Sequence, residues 1–453
     1  MATRREFIKK AALLSAAATV PIGSYGFNFI SRKKAVIIGA GFSGLACALK
    51  LKENGIDVTV IEARKRTGGR VFSYRPDAEP GLVIELGAEW IGASHERVIE
   101  MCRKYGIETE DNTFNDRLLF ENKFYKPGEW NYSPEWKEKF DRIIADYKKM
   151  SDADKRKLDK MDWWRFLVNN GIPDRDLEIR EYADSTDFGE SIRFVSAYAA
   201  LAEYAESSER NEMDFKARGG NSSITDALAN DLGADKIILG RKVLSVKGGD
   251  NPKVVCDDGT SYECDFVICT VPTYSLLKIN WDPALPEDKL SAINSLQYAR
   301  INKCATLFSK RFWDEEGYSI LSDTFSHYFY HATKNQSNPS GVLISYTIGD
   351  KADMFSKMNK AQRIETVAAS LTLPAGDVRG LVTDNINYYW GGDEYSRGAY
   401  ALYGSGQWCD VMPVIKEKAG RIYFAGEHLA DWQGFMEGAV NSGEEAAENI
   451  LSL

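Results

Sequence analysis

The groups best placed to do chemistry in this sequence begin at Gly39. Gly39-Ala40-Gly41-Phe42-Ser43-Gly44 follows a short apolar run, Ala35–Ile38, and precedes Leu45, Ala48, Leu49 and Leu51 at helical spacing. A second apolar run, Val58–Ile61, ends at Glu62, roughly twenty positions beyond the glycines. The pattern predicts a strand–helix–strand unit that binds a dinucleotide. Gly39 allows the tight turn, Gly41 lets backbone approach a pyrophosphate, and Gly44 lets the helix pack close to the strand. Free N–H groups at the helix start, around Ser43, attract the phosphates. Glu62 then accepts hydrogen bonds from a ribose.

The residues just beyond Glu62 separate a flavin dinucleotide from a nicotinamide one. Ala63-Arg64 and Gly68-Gly69-Arg70 put two guanidiniums and a flexible diglycine behind the second strand, and arginine forks suit pyrophosphate oxygens. This stretch, EARKRTGGR, resembles the second half of the signature of the flavin-containing amine oxidases, the family of monoamine and polyamine oxidases. ELGAEWIG (Glu85–Gly92) is similar to the segment that passes the flavin ring in that family, which brings Gly87, Ala88, Glu89 and Trp90 into the expected cofactor set. Later segments match in the same order: Trp390, Tyr395–Tyr400, RIYFAGE (Arg421–Glu427) and Gln433–Val440. The resemblance implies that Val243 meets the adenine through its backbone and that Gly426 and Glu427 lie beside the ribityl arm. It also implies that Phe435 and Met436 open a final helix whose N-terminus points at the flavin N1–C2=O edge, where the dipole favours the negative charge of reduced flavin.

Amine oxidation asks for little acid–base machinery. In that family the flavin takes a hydride equivalent from the carbon bearing nitrogen, and water hydrolyses the resulting imine. Tyr400 and Phe435 match two positions that flank the substrate amine as an aromatic cage in monoamine oxidases. Both are tyrosine there, so Phe435 departs by one hydroxyl. Lys303 matches the lysine that holds a water against flavin N5. On residue chemistry alone, a lysine in an apolar strand is a snorkelling edge residue, but strand parity groups Lys303 with Ile301 and Ala305, on the buried side. Ala399 stands where mitochondrial monoamine oxidases carry the cysteine that tethers FAD, so FAD is expected to be non-covalent. L-amino-acid oxidases of the same fold place a carboxylate-pairing arginine soon after the LGA of the flavin-ring segment; here Glu89-Trp90 follow. Glu89 could instead hold the second ammonium of a diamine. A dehydrogenase feeding a periplasmic carrier instead of oxygen, and a flavin-binding protein without turnover, stay open as alternatives.

These residues need an α/β framework: a doubly wound FAD-binding domain interleaved with a sheet-plus-helices substrate domain. The expected partition is 33–87, 216–296 and 391–453 for the first and 88–215 and 297–390 for the second. The stretch from Ala93 to about Asn211 is expected to be mostly helical and to cap a substrate cavity. At 453 residues the chain is long enough for two domains, and 44% hydrophobic content suits well-packed cores. A formal charge of −9 argues against a nucleic-acid partner. The seven cysteines (47, 102, 256, 264, 269, 304 and 409) form no CxxC or Cys/His cluster, so no metal site is expected and buried free thiols are. Cys264, Cys269 and Cys304 fall in strand-like runs.

Thr3-Arg4-Arg5-Glu6-Phe7-Ile8-Lys9 resembles a twin-arginine export signal, and Ala16-Ala17-Ala18 offers a small-residue cleavage site. Ala11–Ile22 is too short and alanine-rich for a stable membrane span, and no apolar tail precedes Leu453. The protein is therefore expected to fold around its cofactor and reach the periplasm folded. Its expected partners are a small-molecule amine and oxygen or another electron acceptor; a homodimer is left open.

Overall fold

Residues on both faces of the strand Lys34–Ile38 are buried, which calls for layers on either side. A computed structural model describes residues 32–453 apart from Ala78 and Pro339; the export motif at Arg4 and Arg5 lies outside the described residues. Lys34–Ile38 is the middle of five parallel strands, in the order Ile422–Phe424, Phe266–Cys269, Lys34–Ile38, Asp57–Glu62 and Ile237–Leu239. Alternate residues divide between two cores. Ala35, Ile37, Val58, Val60, Phe266 and Ile268 meet the helices Phe42–Glu53 and Met436–Leu451. Val36, Ile38, Ile61, Val267, Cys269 and Phe424 face a four-stranded sheet and short helices, with Val246, Trp281 and Ile415 among them. The strand–helix–strand unit thus stands where the sequence puts it.

The two helices on the first face pack backbone to backbone. A Cβ on Gly443 would lie 2.1 Å from the Ser43 carbonyl oxygen, so glycine at this contact lets the last helix brace the nucleotide helix. The strands end on one edge at Gly39, Glu62, Thr270 and Ala425. Open parallel sheets bind ligands at the carboxyl ends of the strands, and that edge opens into the cavity described below.

A second sheet of seven strands runs Val382–Tyr389, Ile301–Phe308, Gly341–Ile348, Tyr328–His331, Tyr318–Ser322, Asn115–Phe120 and Lys123–Tyr125. It is antiparallel except where Tyr318–Ser322 pairs with Asn115–Phe120. The stretch after Ala93 is therefore less helical than expected. Thr109–Asp111, Asn115–Phe120 and Lys123–Tyr125 are strands, the last two joined at Glu121-Asn122, both with positive φ, the backbone of a tight hairpin. The other partner of Asn115–Phe120, Tyr318–Ser322, lies about two hundred residues away, beyond the reach of local pattern. Helices then dominate from Pro134 to Glu206, around Trp136, Trp163, Phe166 and Phe188. Ser151 caps one of them, accepting a hydrogen bond from the Asp154 N–H.

All seven cysteines are free; Cys409 is half-buried and the others are buried. Cys264 lies one residue past the strand Ser261–Glu263, not inside a strand. Its thiol donates to the Pro252 carbonyl, and its N–H is taken by that same oxygen. Among the described residues no cluster suits a metal ion, and no helix is long and apolar enough to cross a membrane.

Candidate active site

The geometry of the first turn follows from its three glycines. Gly39 has φ +106°, open to glycine and strained for other residues, and its N–H donates to the Ile61 carbonyl at 2.8 Å. A Cβ on Gly44 would sit 1.9 Å from the Gly39 carbonyl oxygen, so only glycine lets this helix approach the strand. A Cβ on Gly41 would meet nothing within 4 Å: it points into open space. The Phe42–Glu53 helix starts there without a side-chain cap, and the buried Ser43 hydroxyl has no partner among the described residues. Uncapped helix N–H groups, an orphaned hydroxyl and room beside Gly41 fit a pyrophosphate.

That space belongs to a cavity of about 700 Å³. Every expected cofactor residue lines it except Gly44, which packs beneath it: Gly39, Gly41, Ser43, Glu62, Ala63, Arg64, Gly69, Arg70, Gly87, Ala88, Glu89, Trp90, Val243, Trp390, Gly426, Glu427, Phe435 and Met436. Lys303 and Tyr400 line it as well. Glu62 stands at the strand end, its carboxylate accepting from the Ala40 and Arg64 N–H groups at 2.8 Å each. Trp390 is fixed by a 2.8 Å hydrogen bond from its indole to the Leu86 carbonyl.

Both arginines expected to meet a pyrophosphate are committed to carboxylates. Arg64 forks onto Asp393 at 2.9 and 2.6 Å and reaches Ser396 at 3.0 Å. Arg70 pairs with Glu427. Burial opposes ionisation of Glu427, but the Arg70 guanidinium together with His428 and the Gly434 N–H holds the carboxyl below its usual range. Glu427 also accepts from the Gly434 N–H at 2.8 Å, so one ion pair ties the diglycine loop to the loop before the final helix. Each guanidinium has further N–H groups beyond those in use.

Lys303 is 4% exposed on a strand buried on both faces. Its ammonium donates to the Glu85 carbonyl at 3.2 Å, the Gly87 carbonyl at 2.9 Å and Glu89 Oε2 at 3.0 Å. An ammonium has three donors, so all are spent on the Glu85–Glu89 segment, and holding a water requires one to be released. Glu89, 2% exposed, also accepts from the Tyr330 hydroxyl, while its Oε1 has no partner.

Tyr400 and Phe435 approach the cavity from different supports. The Tyr400 hydroxyl donates to the Asp187 carbonyl, and Gly434 lies against its ring. Phe435 sets its ring edge-on to His95 at 5.2 Å and Trp432 at 5.7 Å. Beside Tyr400 the wall turns acidic. Asp116, Asp187, Glu203 and Glu212 all line the cavity. Burial, then the neighbouring Asp184, pushes the Asp187 carboxyl up to about 8. Burial and Asp187 push Glu203 well above the usual carboxylate range, and burial raises Asp116. Sequence reasoning missed this group, because acids on helices normally mark a solvated face. The available signal was Glu203 itself, a carboxylate within the alanine-rich, largely buried helix Ala197–Glu206.

A family model described as flavin containing amine oxidoreductase matches residues 42–451. The chain is 27% identical to amine oxidase (flavin-containing) A of Canis lupus familiaris, covering 92% of this chain and 84% of that protein. It is 26% identical to L-amino-acid oxidase of Gloydius blomhoffii, covering 92% and 89%. Two solved structures share the fold: putrescine oxidase bound to putrescine, with TM-score 0.82 at 24% identity over 93% of this chain and 99% of that one, and cyclohexylamine oxidase from Brevibacterium oxydans IH-35A, with TM-score 0.82 at 20% identity over the same shares. Spanned almost end to end by that family model, and carrying a dinucleotide turn that opens into the cavity of Lys303 and Tyr400, the chain belongs to the flavin-containing amine oxidoreductase family.

Proposed function

We propose that the protein oxidises a primary or secondary amine, taken up in its neutral form, with FAD held non-covalently and oxygen as the electron acceptor. The observation that carries this reading is the continuity of the cavity from the Gly39–Gly44 turn to Tyr400, Phe435 and Lys303. When bound, flavin supplies the oxidising capacity by accepting a hydride equivalent from the carbon that bears nitrogen. The chain supplies position and polarity. Gly39, Gly41 and the helix start receive the phosphates, Glu62 the ribose, and the Met436–Leu451 helix N-terminus offers its dipole to the ring. Trp90, Ile301, Tyr346, Tyr400 and Phe435 surround the reacting end with apolar and aromatic surface, which favours a neutral amine over an ammonium by desolvation. Anaerobic mixing with a panel of amines should bleach the yellow protein; no bleaching by any of them would overturn the reading.

Two observations support a non-covalent cofactor: Ala399 lines the cavity with a methyl group, and among the described residues no cysteine or histidine lines it. Acid precipitation is expected to leave the flavin in the supernatant. Colour retained in the pellet would contradict this.

Lys303 faces the segment that passes the ring, so a positive charge there assists electron transfer to oxygen. Lys303→Met is expected to slow reoxidation by oxygen more than reduction by substrate in stopped-flow measurements. It also strips Glu89 of its cation, a loss of about 3–5 kcal/mol for a buried pair, and Glu89→Gln in the same background should recover most of that stability. Equal oxygen rates in mutant and parent would make Lys303 purely a tether.

Export to the periplasm rests on Arg4 and Arg5. Replacing both with lysine is expected to retain the protein, flavin-loaded, in the cytoplasm; unchanged periplasmic recovery would remove this localisation.

A further inference from the structure

One carboxyl group in the cavity stands apart. Glu203 lines it from the helix Ala197–Glu206, and its carboxyl has neither a hydrogen-bond nor an ion-pair partner among the described residues. The acids around it are better served. Asp187 accepts from the Tyr204 hydroxyl at 2.9 Å and the Asn211 amide at 3.0 Å. Asp116 accepts from the Ser319 and Tyr328 hydroxyls at 2.6 and 2.8 Å. Arg180, a cation that acts on Asp187, is held by Asp184 at 3.1 Å and packed over the Phe140 ring at 3.9 Å; it does not line the cavity. Lys303, which does, is spent on Glu89 and two carbonyls. Glu89 Oε1, in a side chain 2% exposed, is a second oxygen on the same cavity without a donor.

Buried carboxyls without donors are costly, and the cost is relieved by a cation that brings its own N–H groups. The position of these acids says which part of a ligand they meet. The Tyr400 hydroxyl donates to the carbonyl of Asp187, whose carboxylate is thus close to the cage. Phe435, the other cage position, packs on His95, and His95 lies 3.5 Å from Glu212. The acidic group therefore sits beside the reacting end, with Glu203 and Asp187 both near Tyr400.

We infer that the substrate carries a second ammonium group, as a linear diamine or polyamine does, and that Glu203, supported by Asp187, binds it while the other nitrogen reacts between Tyr400 and Phe435. The inference rests on the amine-oxidation reading and names its substrate class. Glu203 provides the free carboxylate. Asp187, already oriented by Tyr204 and Asn211, adds a second acceptor. Glu89, which the sequence alone offered for this role, is occupied by Lys303.

The flavin-loaded protein is mixed anaerobically with α,ω-diamines of three to eight carbons and with n-alkylamines of the same lengths, and bleaching is followed against concentration. Diamines are expected to bind about tenfold more tightly or better than matched monoamines, the equivalent of ~1.4 kcal/mol. Glu203→Gln, which keeps the side chain's shape, should erase most of that ratio, and Asp187→Asn should reduce it less. A ratio between substrates is insensitive to the fraction of active protein, so a poorly folding variant does not mimic the effect. Had the acids served only to take a proton from the arriving amine, both series would slow together with the ratio unchanged, and the inference would fall. Equal affinities for the two series in the parent protein would also sink it while leaving amine oxidation standing. Absence of bleaching by either series would remove both readings.

Discussion

Gly44→Val is expected to yield a protein that retains no flavin. A Cβ at this position would lie 1.9 Å from the Gly39 carbonyl oxygen and 3.1 Å from Gly39 carbon, and both contacts are backbone. The helix cannot swing away, because its other side is braced by the last helix, where a Cβ on Gly443 would already be 2.1 Å from the Ser43 carbonyl. Overpacking of this kind costs about 1–3 kcal/mol, and more when backbone must move; here the backbone that moves is the turn proposed to receive the phosphates. Gly41→Ala provides the contrast. Its Cβ meets no protein atom within 4 Å, so the melting temperature of the flavin-free protein should hold while flavin affinity falls. The ratio of flavin to protein absorbance and the melting temperature together distinguish the two. Full flavin occupancy in Gly44→Val would show that the turn has slack the packing denies.

An amine is expected to reduce the protein far faster than its α-carboxylated counterpart, by about two to three orders of magnitude in apparent second-order rate. A buried carboxylate without a partner costs several kcal/mol, and each ~1.4 kcal/mol is a factor of ten. The cavity offers a carboxylate little at the reacting end. Asp116, Asp187 and Glu203 line the cavity beside that end, and Lys303 is engaged with Glu89. Because the neutral amine is scarce below its solution pKa, apparent affinity should improve as pH rises towards that value. Stopped-flow reduction by an amine and the matching amino acid across pH measures both effects, and faster reduction by the amino acid would reverse the substrate assignment.

Much of the cofactor half was legible because its information is local. Gly39, Gly41, Gly44 and Glu62 lie within one strand–helix–strand unit; the role of Gly44 follows from a contact inside it, that of Gly41 from the open space beside it and that of Gly39 from its positive φ. Strand parity grouped Lys303 with Ile301 and Ala305 on the buried side, but every residue of Ile301–Phe308 is buried, so parity did not single Lys303 out. Parity could not say what its ammonium meets, since Glu85, Gly87 and Glu89 lie over two hundred residues earlier in the chain.

What the sequence by itself determined is the dinucleotide turn, written in short-range spacing; the order of the later segments and the expected cage positions came from the resemblance to the amine oxidase family. The tertiary structure alone decided how the charges are paired. Arg64 and Arg70 read as free pyrophosphate forks until the fold brings Asp393 and Glu427 to them. Asp187 and Glu203 read as acids on ordinary helices until two helices and Tyr400 enclose them beside one cavity. The physical reason is that a charge's partner, and its separation from water, depend on which distant segments pack against it, and no spacing along the chain encodes that.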